Sequence, residues 1–223
     1  MNARLESVNF GRLEPNPYKE GLATGINKSP RSGRHEVVSP GLRSAGSGSG
    51  LVGDSIGDTR NHGGDRQALY AFEREDLDAW EGRLNRPLAN GFFGENLTTA
   101  GLDVNGALLG ERWRIGDQVE VMVTGPRIPC STFRGWVGEK GWLKTFTAVA
   151  RPGAYLQVVV SGTVEEGDLI SVLDRPDHDV TISLTYRALT TERDLLPELR
   201  AANPFLDDEL RGIIAKGETL RLG

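Results

Sequence analysis

Cysteine is almost absent: Cys130 stands alone in 223 residues, with three histidines, His35, His62 and His178, far apart in sequence. A single thiol closes no intramolecular disulfide, which excludes a stapled secreted scaffold and points to a reducing compartment. One cysteine and scattered histidines give no zinc-ligand spacing. Long apolar runs are missing as well. Nothing approaches the ~18 consecutive apolar residues of a membrane-spanning helix, and residues 1–11 hold no apolar leader core. A soluble cytoplasmic protein without a membrane partner is expected. Nor is there a positive excess: 26 Lys and Arg face 31 Asp and Glu, net −5, which argues against a nucleic-acid partner. The GSGSG stretch at 46–50 has Leu51 where a dinucleotide fingerprint needs its third glycine, and no Gly-Lys-Ser/Thr follows. Nucleotide phosphate binding is excluded there.

Turn formers are abundant, with 29 glycines and 11 prolines, and they separate short alternating apolar runs. Strands are predicted at 3–10, 35–38, 107–115, 118–123, 154–161, 169–173 and 180–186. In the first, Leu5 faces inward, and Val8 or Phe10 follows after a break in register. Gly116-Asp117 and Gly167-Asp168 read as hairpin turns. The fold class is mainly β with α additions, a closed or nearly closed β-barrel. Asp65 is a predicted N-cap, with Leu69, Phe72, Leu77 and Trp80 on the buried face of a helix ending near Gly82. Beyond Arg187, Leu189, Leu195, Leu196 and Leu199 predict a helix broken near Pro197 or beginning there, and Leu206, Leu210, Ile213 and Ile214 a second stripe up to Gly217. The division is a barrel domain at 1–187 and a helical extension at 188–223, packed on the barrel or on a second copy in a homodimer. Residues 40–64 form a long glycine-rich segment, either a functional loop or a disordered one.

Chemistry concentrates at 118–133. Val119, Val121 and Val123 alternate as a half-buried strand until Gly125. Pro126 and Pro129 then remove two backbone donors and stiffen the chain that carries Arg127 and Cys130. Arg127 brings a positive charge, and a helical turn opening at Cys130, Ser131 and Thr132 offers free N–H groups; both favour a thiolate. The plainer reading is an inert buried cysteine, the commoner case, but such a residue has no need of an arginine and two prolines beside it. His62, before Gly63-Gly64, sits where backbone comes close to a ligand, although a lone histidine is more often packed than catalytic. Lys28, Arg31 and Arg34 around Pro30 are a solvated cluster or a phosphate contact. Glu95 and Asn96 read as a turn bonding its own backbone.

The motifs run in order as GLVGD (50–54), NHGGDRQALYAF (61–72), GFFGENLT (91–98), GERWRIGD (110–117), GPRIPC (125–130), RPGAYLQVV (151–159) and GTVEEGD (162–168). Together they resemble the MOSC family, the molybdenum cofactor sulfurase C-terminal domain, in its stand-alone bacterial YiiM-like type, over about residues 20–187. The chain departs from the pattern at 43–50, which expands a compact turn. The resemblance implies a β-barrel-rich fold binding a molybdopterin-type molybdenum cofactor, with Cys130 as molybdenum or sulfur ligand. It implies an oxidoreductase acting on a small-molecule substrate, an N-hydroxylated base or related compound, with electrons from a donor protein. On that basis Arg127, Lys28, Arg66, Asn96, Ser131 and Thr132 contact the cofactor. His62 and Asp65 shape the pocket, and His62 supplies a proton. The alternative is a sulfur carrier or cofactor-delivery module using a Cys130 persulfide without turnover of its own. A third reading is a structural barrel with a buried cysteine.

Overall fold

The tight turn at Gly116-Asp117 behaves as its sequence predicts. It joins β8 (Arg112–Ile115) to β9 (Val119–Pro126) as an antiparallel pair with Ile115 opposite Val119, and Gly116 takes the left-handed φ of 61° that such a turn favours. In this computed structural model, which describes residues 2–220 and 222, the hairpin lies within an eight-stranded mixed sheet. The earlier strands are β1 (Arg4–Gly11), β2 (Glu14–Pro15), β3 (Ala23–Thr24), β4 (Lys28–Pro30), β5 (His35–Val37), β6 (Leu69–Glu73) and β7 (Leu97–Ala100). The later ones are β10 (Ala154–Val160), β11 (Gly162–Val164) and β12 (Ile170–Asp174). The sheet runs β12-β8-β9-β10-β6-β7-β1-β4, with two small ladders, β5–β11 and β2–β3, beside it.

Among the described residues the ladders end at β12 and β4, so the ring of a closed barrel is not completed by a ladder. An isolated bridge between Arg4 and Leu169, with Leu5 N–H donating to Asp168 O at 2.8 Å, links β1 to the approach to β12. Gly167-Asp168 is accordingly not a hairpin within one sheet: the β11 before it pairs with β5 and the β12 after it with β8. In β1 the expected break in register is present, a bulge between Leu5 and Ser7, and Leu5, Val8 and Phe10 are all buried.

Two predicted elements change type. Residues 69–73 are a strand, parallel to β7 and antiparallel to β10, and α1 begins at Arg74 and ends at Leu84 with Glu73 as its N-cap residue. All five residues of β6 are buried, and a strand covered on both faces shows a continuous apolar run in place of alternation. Asp65 opens only a three-residue 3₁₀ turn, and its carboxylate accepts from Gly41 N–H at 2.8 Å. Residues 180–186, expected as a strand, enter α4 (Ile182–Thr190), capped by the Thr181 side chain, which accepts from Leu184 N–H. Ile182, Thr185, Tyr186 and Leu189 form its buried face, a helical spacing that coexists in the sequence with the alternating one.

Two apolar clusters fill the fold. The larger is aliphatic and lies on the sheet. Leu189, Leu196, Leu199, Leu206 and Ile214 from the C-terminal elements join Leu5, Val121 and Leu156 in it. The tail, a 3₁₀ segment Arg193–Phe205 carrying Pro197 and Pro204, then α5 (Asp208–Lys216) capped by Gly217, thus packs on its own chain. The smaller cluster is aromatic: Trp80 of α1, Phe93, Phe133 of α2 (Ser131–Val137), Trp142 and Phe146 of α3 (Trp142–Val149), and Tyr186. Among the described residues no helix is long and apolar enough to cross a membrane.

Candidate functional site

β9 continues three residues beyond the expected end at 123. Gly125 pairs with Tyr155 and Pro126 with Ala154 of β10, and the strand ends where proline has no N–H to extend the ladder. Four residues later Cys130 occupies the N-cap position of α2 in extended geometry (φ −111°, ψ 172°). The expected helical turn at 130–132 is therefore present. It faces a cavity of about 500 Å³ whose wall includes Cys130, His62, Arg127, Lys28, Tyr70 and Tyr155, together with Asn96, Ser131 and Thr132. Seven of the nine residues singled out from the sequence meet here.

Burial by itself would push the Cys130 thiol up. The hydrogen bond from His62, the charges of Arg127 and His62 and the Phe133 N–H outweigh it and bring the thiol down to about 6. At neutral pH the sulfur is a thiolate. His62 is set in place by a turn in which its N–H donates to Asp58 O at 3.0 Å, and the Asp58 carboxylate is held by Lys19 and Asn61, each at 2.9 Å. Gly64 (φ 73°) and Gly63 (φ 85°) then let the chain pass against the 43–48 loop, where an added Cβ would lie 2.5 Å from Arg43 N and 2.8 Å from Gly48 O respectively. The long 40–64 segment is thus an ordered wall of the cavity, with Gly64 N–H donating to Gly48 O at 3.0 Å and Gly50 N–H to Ala68 O at 2.7 Å.

Arg127 is 6 % exposed. Its guanidinium lies 3.6 Å from the Phe133 ring centroid and 5.4 Å from that of Tyr70, and its charge acts on the phenols of Tyr70 and Tyr155, the Tyr70 hydroxyl itself donating to Pro152 O at 2.7 Å. Both tyrosines are pushed up by burial, opposed by that guanidinium, and remain neutral. Arg127 Nη1 is buried with no hydrogen-bond partner. A buried cation with an unmet donor attracts an anion, because leaving the group unmet costs about 1–3 kcal/mol or more.

Lys28 also reaches the cavity, but its charge is matched. The ammonium forms a buried ion pair with Asp54, and burial lowers its pKa against the opposing charges of Asp54 and Glu95. Asp54 accepts in addition from Gly11 N–H and from Asn96 Nδ2, both at 2.8 Å, and Asn96 Oδ1 accepts from Tyr70 N–H at 3.2 Å. This network fixes the cavity floor. The neighbouring Glu95 does bond its own loop, accepting from Gly91 and Phe93 N–H, and burial pushes it up to about 7. Thr132 is held by Asn16 Nδ2 at 2.9 Å.

Arg66 does not join this group. Its guanidinium donates to Thr124 O at 3.2 Å and Phe205 O at 2.6 Å and pairs with Asp207 at 3.2 Å, so it faces a second, neighbouring cavity, as does Asp65. The expected anion contact of Arg66 and pocket role of Asp65 are not met at the Cys130 cavity. Sequence reasoning missed Tyr70, Tyr155 and Asn16. The two tyrosines occupy strand positions of ordinary core residues, buried and half-buried in β6 and β10, and nothing local to either marks Arg127, 57 and 28 residues away, as a partner.

Comparison with known proteins places the fold and the family. A family model described as MOSC domain matches residues 58–171, just over half of the chain. YflK of Bacillus subtilis (strain 168), described as uncharacterized, is 30% identical over 182 residues, spanning 81% of this chain and 78% of that protein. A protein named Reductase from Gibberella moniliformis is 29% identical over 213 residues, 91% of this chain but only 36% of the reductase. The crystal structure of YiiM from Geobacillus stearothermophilus has a TM-score of 0.76 at 24% identity, covering 96% of this chain and 98% of that one. The chain belongs to the MOSC domain family.

Proposed function

We propose that the chain is a cytoplasmic molybdenum-cofactor protein with Cys130 as its metal ligand, and that it reduces N-hydroxylated bases or related small molecules. The observation that carries this reading is the convergence, on one cavity, of a thiolate-favouring cysteine, His62 bonded to its sulfur and a buried arginine with an unmet donor. The donor set fits such a group. No cluster of three His, Cys, Asp or Glu able to hold a metal ion occurs among the described residues, so a metal at Cys130 would bring its other ligands with it, as a pterin dithiolene does. A thiolate is the soft donor that such a centre accepts.

Cys130 would hold the metal and Arg127 Nη1 the anionic end of the cofactor, with Ser131, Thr132 and Asn96 along its edge. Lys28, already paired, would act through the floor. When bound, the cofactor supplies two-electron redox chemistry: an N–OH group, two electrons from a donor protein and two protons give N–H and water. The chain's own part is to exclude bulk water, keep Arg127 charged against the tyrosine hydroxyls, and hold a proton on the His62 imidazole beside the sulfur.

The test is metal content after purification from a host that makes molybdopterin. Cys130→Ser, a hard and largely protonated ligand, should lose bound molybdenum while keeping the melting curve of cofactor-free wild type. Equal occupancy in both proteins would sink the proposal. His62→Ala should keep most of the metal and slow reduction of a hydroxylamino base. A persulfide on Cys130 detected by mass, with no turnover, would turn the assignment to a sulfur carrier built on the same thiolate.

A further inference from the structure

Next to the Cys130 cavity lies a larger one of about 780 Å³ that contains neither Cys130 nor Arg127. The two share a wall that includes Gly63, Gln67, Pro126, Ile128 and Tyr155, with the Arg43–Glu209 pair and Leu220 at the edge of both. Its far side comes from the C-terminal elements: Leu189 of α4 and Leu210 and Ile213 of α5. These are held across the opening by side chains from the body of the fold. Arg66 binds Phe205 O and Asp207, and Arg43 pairs with Glu209 at 3.2 Å. The carboxylates at that rim are therefore matched, Asp208 by Arg211 at 3.0 Å, and Leu189, Leu210 and Ile213 give the polar-rimmed cavity an aliphatic stretch of wall.

One polar group stands out on the shared wall. The side-chain oxygen of Gln67 is buried and has no hydrogen-bond partner. Gln67 closes a short 3₁₀ turn whose backbone is already satisfied, its N–H donating to Gly64 O at 2.9 Å. Its side chain has no part in holding that turn. An unmet acceptor at the boundary of two cavities calls for a donor from outside the chain, since native folds rarely leave such groups unpaired.

We propose that the second cavity is the substrate chamber, walled by the C-terminal helix α5, and that Gln67 is its specificity-determining residue, accepting a hydrogen bond from an N–H or O–H of an uncharged ring-sized substrate. The assignment rests on the cofactor reading of the first cavity. The volume lies within the range of small-molecule sites. An aliphatic stretch of wall beside one unpartnered acceptor, the lining carboxylates being already matched, selects a flat apolar body bearing a donor, and the shared wall puts the reactive end beside the Cys130 cavity. A site with a buried polar group discriminates strongly against analogues that leave it unpaired.

Calorimetric titration of the full-length protein tests this with benzamidoxime, which bears N–H and O–H donors, and its O-methyl-N,N-dimethyl derivative, which bears none. Wild type should bind the first roughly tenfold or more tightly than the second. Gln67→Met should bring that ratio close to one, and Ile213→Trp, which fills the chamber, should weaken both probes by about tenfold or more. Molybdenum content should stay at the wild-type level in both variants. The proposal is overturned if wild type does not prefer the donor-bearing probe, if Gln67→Met keeps the full preference, or if a folded Ile213→Trp binds as wild type does. Should Ile213→Trp fail to fold, Gln67→Met alone decides. Loss of the cofactor reading would show separately, as molybdenum absent from every preparation, whereas failure here would leave molybdenum bound and probe binding unaffected.

Discussion

Arg127 and Arg151 sit at opposite ends of the β6 neighbourhood and meet opposite surroundings. Arg151 is 38 % exposed at its side chain and binds three carboxylates: Asp76 at 2.6 Å, Glu73 at 2.9 Å and Asp103 at 3.4 Å. Asn105 completes that cluster, donating to Glu73 at 3.0 Å and Asp76 at 2.8 Å. Arg127 is almost fully buried, makes no ion pair among the described residues, and is surrounded by aromatic rings and phenols with one nitrogen unmet. The first arginine finishes an electrostatic network inside the fold. The second leaves one open. A buried charge held by aromatic faces, with the Cys130 thiolate as its one nearby anion and a nitrogen still unmet, has room for a further anion, and that difference separates a structural arginine from one placed for a ligand.

The sharpest way to break the comparison is to remove each guanidinium in turn. Arg127→Leu should cut molybdenum content by about tenfold or more, yet leave the melting temperature of cofactor-free protein unchanged or raised below about pH 6, where the Cys130 thiol is protonated and the buried charge lost was uncompensated. A large drop in the melting temperature of the cofactor-free protein would show that Arg127 is structural after all. Arg151→Leu should do the reverse. With Glu73 and Asp76 left without their cation, unfolding free energy should fall by about 1–3 kcal/mol in denaturant titration, at unchanged molybdenum content.

A smaller effect sharpens the Arg127 side. Alkylation of Cys130 should rise with pH to a midpoint near 6, following the thiol. In His62→Ala and in Arg127→Leu the midpoint should move up by about one unit, each variant losing one of the stabilising partners. The sign of the linkage is fixed: a thiol depressed in the folded state contributes stability that is present at alkaline pH and is lost as pH falls through about 6. A midpoint that stays put in both variants would remove the two residues from thiolate stabilisation.

The smallest effect belongs to the Arg151 side. Glu73 is pushed up to about 7, first by burial and then by the charge of Asp76, with Arg151 opposing. A carboxyl raised in the folded state contributes stability below the ordinary carboxylate range that is lost as pH rises through about 7. Glu73→Gln, neutral at every pH, should flatten the slope of stability between about pH 5 and 8, with a gain on the order of 1 kcal/mol at the alkaline end. An unchanged slope would show that Glu73 does not titrate in that range.

Much of the Cys130 side was legible because it is local. The alternating valines of β9, the two prolines and the helical start at Ser131 are short-range features, and each appears where the sequence places it. The Gly116-Asp117 hairpin and the bulge in β1 were readable for the same reason. Residues 69–73 and 180–186 were not. The first is apolar throughout because two neighbouring strands and both faces cover it, and the second satisfies strand and helix spacing together, so Thr181 capping and packing against the sheet decide.

By itself, then, the amino-acid order determined a β-rich fold with a helical tail, the rigid loop that presents the one cysteine, and through its motifs the family. Only the tertiary structure decided which charges are free. Lys28 and Arg66 look as available as Arg127 in sequence, yet Asp54 neutralises the first, and Asp207 with two carbonyls captures the second. Arg127 alone of the three is left against phenols and a thiolate, joined by His62 from 68 residues earlier in the chain. Coulomb attraction and hydrogen bonding act over a few ångströms of space, whatever the separation along the chain, so those pairings come into being only when the sheet is assembled.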